Sequence, residues 1–138
     1  MTGDRALTPD DAAVAVRSFP RRFRATFARP VDDEDRFDPD EIARRPGPDG
    51  ATAADHLLAA LAIVESIPDA AGSTASDDGT PISALLDRLQ DAADGAAQRI
   101  DRVPNDQWGD RLATTQDAVA EVATHLRAAA DVLESVRR

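Results

Sequence analysis

Apolar side chains return every three or four positions in four stretches of this chain, the period of a helix with one buried face. The first stretch opens at Thr8-Pro9-Asp10-Asp11. A capping threonine, a proline where the missing N–H costs nothing, and two acids beside the positive end of the helix dipole all suit a helix start. Val16, Phe19, Phe23 and Phe27 then form one stripe, and the segment is expected to end by Arg29-Pro30. Pro20 lies inside the stripe. It removes a backbone donor and clashes with the preceding turn, so the expectation is a kink or a split near Ser18-Phe19.

A long acidic linker over residues 30–50 follows. Its run Asp32-Asp33-Glu34-Asp35 and its four prolines argue against regular structure, apart from one short helical turn over Ile42 after Asp38-Pro39-Asp40-Glu41. The second helix starts at Thr52-Ala53-Ala54-Asp55, the spacing of a capping box. Leu57, Ala60, Leu61, Ile63 and Val64 mark its inner face, and Ile67-Pro68 stops it. Residues 68–80 are small and polar and read as a flexible loop. The third helix follows Thr80-Pro81, a cap then a proline, with Ile82, Leu85, Leu86, Leu89, Ala93, Ala96 and Ile100 on one stripe. Gly95 within it costs about 1 kcal/mol against alanine. Pro104 ends the segment, and Asn105-Asp106-Gln107-Trp108-Gly109-Asp110 reads as a turn. The fourth helix is expected to begin near Thr114-Thr115, with Val119, Val122, Leu126, Ala129, Leu133 and Val136 in a bundle-seam pattern. No alternating β-branched run appears and tyrosine is absent, so the fold class is all-α: an up-down four-helix bundle in a single domain, residues 1–138.

Composition narrows the chemistry. There is no cysteine, which removes disulfides and thiolate metal sites and fits a reducing cytoplasm. The N-terminus has no basic stretch leading into an apolar run, so no signal peptide is expected, and no apolar run reaches membrane-spanning length. Net charge is -10, and every one of the sixteen cationic side chains is arginine. Such a surface repels nucleic acid and anionic membranes. The one basic cluster along the sequence, Arg17, Arg21, Arg22, Arg24 and Arg29, is local; it is expected to pair with the acidic linker, the alternative being an anionic thiol cofactor or carboxylate substrate. No serine sits in a nucleophile motif and no glycine-rich phosphate loop is present, so no catalytic residue is assigned.

Four fragments, in order and spacing, carry a resemblance. They are Ser18-Phe19-Pro20-Arg21-Arg22-Phe23-Arg24, Ala51-Thr52-Ala53-Ala54-Asp55-His56-Leu57, Val103-Pro104-Asn105-Asp106-Gln107-Trp108 and Thr124-His125-Leu126-Arg127. Together they resemble the DinB/YfiT-like superfamily of four-helix bundles, which includes maleylpyruvate isomerases and thiol-dependent transferases. The resemblance spans most of the chain. It implies a DinB-like bundle and a metal site with one histidine on the second helix and two, four apart, on the last. This chain has only His56 and His125. One alignment puts Ala59, Ala120 and Thr124 at the ligand positions. A one-residue shift instead joins His56, Glu121 and His125 into a two-histidine, one-carboxylate site.

The residues themselves admit blander roles. His56 reads as a border histidine bonded to a backbone carbonyl or to Asp55 or Asp49, and His125 as half of a Glu121–His125 helix-face pair. Trp108 either packs or covers a pocket mouth. The expectation is therefore a cytoplasmic DinB-like bundle with a degenerate metal site and no resident cofactor. It would bind a small-molecule ligand or pair with a partner, including a second copy as a homodimer. The alternative is an enzyme of the thiol-transferase or hydrolase type that depends on divalent zinc, nickel or manganese.

Overall fold

The computed structural model describes residues 8–27, 39–67, 69 and 79–136. Among them every regular element is a helix: α1 Pro9–Phe27, α2 Pro39–Ala43, α3 Ala53–Ser66, α4 Ile82–Asp101 and α5 Asn105–Val136. The acidic run 32–35, the Arg29-Pro30 stop, and residues 70–78 of the expected loop lie outside the described residues.

Four long helices surround one core. α1 packs against α4 and α5, and α3 packs against the same two. α1 and α3 stand across the core from each other, as do α4 and α5, so the short turn 102–104 joins two helices that are not packed side by side. The stripes expected from the sequence are buried, except that Val119 and Val136 of the last helix are only partly so. Val16, Phe19, Phe23 and Phe27 come from α1, Leu57, Leu61 and Val64 from α3, Ile82, Leu85, Leu89 and Ile100 from α4, and Val122, Leu126 and Leu133 from α5.

Helix starts follow the local chemistry in two cases. The Thr8 hydroxyl accepts from the Asp11 N–H at 3.1 Å, capping α1. At α3 the capping box closes: Asp55 N–H donates to the Thr52 hydroxyl and Thr52 N–H donates to the Asp55 carboxylate, both at 3.0 Å. The start of α4 differs from expectation. Pro81 occupies the cap position and has no side-chain donor or acceptor, and the Ile82 N–H donates instead to Asp40 on α2, at 2.6 Å. The short turn over Ile42 thus forms as expected and serves as the cap of a helix 42 residues away. The Arg44 guanidinium reinforces the junction by donating to the Thr80 carbonyl at 2.5 Å.

Two further expectations change: of the kink or split expected at Pro20 the split is excluded, and the start of the last helix is corrected. Pro20 neither splits nor ends α1, which runs unbroken from Pro9 to Phe27. Its ring is buried, and apolar residues on both sides of it face the same core, so packing holds the helix through the missing hydrogen bond. The last helix starts at Asn105 rather than near Thr114, and the expected turn 105–110 is its first six residues. Pro104 supplies the carbonyl that accepts from the Gln107 and Trp108 N–H groups. Extending the helix buries Trp108 in line with Thr115, Ala118 and Val122, a larger gain than the glycine at 109 costs.

Residue Gly95 also finds a reason. A Cβ there would come within 3.3 Å of Arg99 Nη1. The Arg99 guanidinium folds across α4 to reach the end of α3, donating to the carbonyls of Val64, Glu65 and Ile67 at 3.2, 3.0 and 2.7 Å. It thereby satisfies carbonyls that have no partner inside α3 and places a cation at the negative end of that helix.

Two substitutions test this packing. Phe23 is fully buried at the middle of the α1 stripe, so Phe23→Ala is expected to destabilise by about 3–5 kcal/mol. A denaturant-midpoint shift worth under about 1 kcal/mol would contradict its core position. Thr115 points the other way: its hydroxyl is fully buried and has no hydrogen-bond partner among the described residues. Leaving a hydroxyl unsatisfied costs about 1–3 kcal/mol, so the near-isosteric Thr115→Val is expected to raise the melting temperature. A lowered melting temperature would contradict this account of the buried hydroxyl.

Candidate functional site

The capping box at Thr52 fixes where α3 begins, and so places His56 on the first turn of that helix, on the side facing α5. His125 lies on α5 beside the buried Leu126, at the border of the seam. Both rings are half-buried. The two Nδ1 atoms are 3.0 Å apart, and the ring centroids are 5.3 Å apart at an interplanar angle of 41°. The only two histidines of the chain, 69 residues apart in sequence, therefore meet directly.

This geometry constrains the protons. One Nδ1 must carry hydrogen and donate, and the other must be bare and accept, so the rings hold opposite tautomers when both are neutral. A second proton on this axis would set two N–H groups against each other. Burial first, and then the charge of a protonated His56, hold the His125 imidazole below its ordinary value, while the Glu121 carboxylate pulls it upward.

The structure places the other candidates around this pair and leaves them out of it. Glu121 is exposed and makes no hydrogen bond to His125; it acts through its charge. Asp55 is committed to the Thr52 cap, and Asp49 accepts from the Ala51 N–H at 3.2 Å, so neither serves as the partner of His56. Thr124 is exposed and its hydroxyl donates to the Ala120 carbonyl of its own helix at 3.0 Å. Ala59 and Ala120 offer no donor atom to a metal. Trp108 packs into the core, 9 % exposed. In the basic cluster, Arg24 forms an ion pair with Asp87 of α4, and the Arg22 guanidinium lies 5.6 Å from the centroid of the Phe19 ring. The expected pairing of that cluster with the acidic run 32–35, and residue Arg29, lie outside the described residues.

The donor set can be weighed against a divalent metal. Two nitrogens on one tetrahedral zinc would sit roughly 3.3 Å apart, given bonds of about 2.0–2.1 Å, so the observed spacing suits either a shared proton or a shared cation. Among the described residues, however, no three His, Asp or Glu side chains are grouped to hold one ion. Structural zinc sites use four protein ligands and catalytic ones three. Two imidazoles alone do not meet either requirement.

No protein-family model matches the chain, and neither the curated proteins nor the solved structures contain a match to it. Among the described residues no helix is long and apolar enough to cross a membrane.

The pair predicts a pH dependence. Because the folded-state pKa of His125 lies below its unfolded value of about 6.5, the unfolded chain binds a proton more readily. Its contribution to stability is complete above that unfolded value and is lost as the pH falls through the lowered folded value. Unfolding free energy measured by denaturant titration is expected to rise from pH 5 to pH 7.5, with a shallower rise in His125→Gln. An identical slope in that variant would remove the histidine pair as the cause.

Proposed function

We propose that this chain is a cytosolic DinB-like bundle in which the metal centre implied by the resemblance has been reduced to a hydrogen-bonded histidine pair. It acts as a non-catalytic protein that binds a small ligand or pairs with another bundle, a second copy included. The observation that carries this reading is the direct Nδ1···Nδ1 contact of His56 and His125, with no third ligating side chain grouped around it among the described residues. The strongly negative surface supports a partner other than nucleic acid.

One observation favours a second reading. The 3.0 Å spacing suits two ligands of one cation, and Glu121 is near enough for its charge to act on His125. In that reading His56, Glu121 and His125 hold a divalent metal, and the protein is a thiol transferase or a hydrolase.

Metal analysis separates the two. Protein purified without an affinity tag is expected to contain well under one zinc, nickel, manganese or iron per chain. The double variant His56→Ala, His125→Ala is expected to leave that content unchanged. About one metal per chain, lost in the double variant and in Glu121→Ala, would establish the enzyme reading instead.

A further inference from the structure

Far from the histidine pair, the turn between α4 and α5 and the chain leaving α3 border a shallow cleft of about 250 Å³, open to solvent. It is lined by Arg99 and Arg102 from the end of α4, Val103 and Pro104 from the turn, Gln107 and Arg111 from the start of α5, and Asp69. Arg111 lies fourteen positions before His125 on one continuous helix, roughly 20 Å away along its axis. The two features are separate sites.

Among the described residues, three guanidinium groups share this cleft with a single carboxylate, on a protein whose net charge is -10. Their like charges repel one another, and only part of that charge is answered among the described residues. Asp69 pairs with Arg111. Arg99 is held in place by three carbonyls at the end of α3, through Nε and Nη2 alone. Arg102 is exposed and has no side-chain partner among the described residues. Asp101, Asp106 and Asp110 are close in sequence and exposed, but none of them lines the cleft. Gln107 adds an amide donor, and Val103 and Pro104 an apolar wall. Guanidinium donors set around a concave surface match an oxyanion, which they can grip through paired hydrogen bonds.

We propose that this cleft binds the phosphate or carboxylate group of a small molecule. The occupant is small, because the cleft lies below the roughly 300–1,000 Å³ usual for larger ligands. Arg102 and Arg111 are its principal contacts, with Asp69 giving up part of Arg111 as the anion enters. Arg99 supplies a fixed positive wall.

The test is a titration of the full chain, in low-salt buffer, with inorganic phosphate in one arm and succinate in the other, followed by backbone amide shifts. Sodium chloride at matched ionic strength is the control. The expected result is saturable shifts at Arg102, Val103 and Gln107 with at least one anion, at a dissociation constant of about 1 mM or less. Saturation with phosphate alone identifies a phosphoryl group, and with succinate alone a carboxylate. Arg102→Ala and Arg111→Ala are each expected to weaken binding by about tenfold or more. Arg127→Ala, on a distant exposed part of α5, is expected to leave it unchanged. Because the exposed Arg102 side chain has no partner among the described residues, its variant is expected to keep the fold, and the outcome is readable from it alone. Shifts that fail to saturate, that sodium chloride reproduces, or that survive Arg102→Ala overturn the proposal.

Discussion

The burial of the α1 stripe against α4 and α5 is the interaction on which the rest of this bundle depends. The other helices meet the core through many alanines: Ala53, Ala54 and Ala60 on α3, Ala93, Ala96 and Ala97 on α4, Ala118 and Ala129 on α5. Alanine lets helices approach closely but removes little apolar area from water. Phe19, Phe23 and Phe27 supply the large side chains that fill the remaining space. Their packing keeps α1 helical through Pro20, against its local preference. The ion pair of Arg24 with Asp87 adds a peripheral tie between α1 and α4; exposed pairs of this kind are worth about 0–1 kcal/mol.

Around that core, residues remote in sequence complete the helix ends. Asp40 takes the N–H that Pro81 leaves unserved at the start of α4, and Arg99 takes the carbonyls that α3 leaves open at its end. Each contact joins two elements while satisfying a backbone group that would otherwise be exposed without a partner. Gly47 belongs to the same pattern. A Cβ there would meet both methyl groups of Val132 at 3.3 Å, so any larger residue would have to push Val132 aside where the segment before α3 lies close on α5. The approach of this segment to α5, together with the Thr52 cap, positions the first turn of α3 and hence His56.

The two ends of the bundle consequently differ in chemistry. The end carrying the start of α3 holds the His56–His125 contact beside the charge of Glu121. The end carrying the turn 102–104 gathers arginines. A surface with a net charge of -10 conceals this separation: Arg99, Arg102 and Arg111 are interleaved along the sequence with Asp101, Asp106 and Asp110, and only the fold turns the three arginines to one cleft without those aspartates.

The sequence by itself determined the helical class, the buried stripes, the Thr8 and Thr52 caps and the short turn over Ile42. All of these rest on spacing within one segment, where 3.6-residue periodicity and capping act over a few residues. It also singled out His56 and His125 as the residues to watch, since there are no others of their kind. Tertiary structure alone decided the outcomes that pit a local preference against distant packing. Pro20 and Gly109 are breakers by local rules, yet burial of Phe19, Phe23 and Trp108 carries the helix through both. Pairing across helices was equally out of reach. The partner of His56 is neither Asp55 nor Asp49 beside it but His125, because the capping box consumes Asp55 and the packing of α3 on α5 brings the two rings together. Side-chain spacing along a helix reports which residues share a face; which face of another helix they meet is set by how the cores fit.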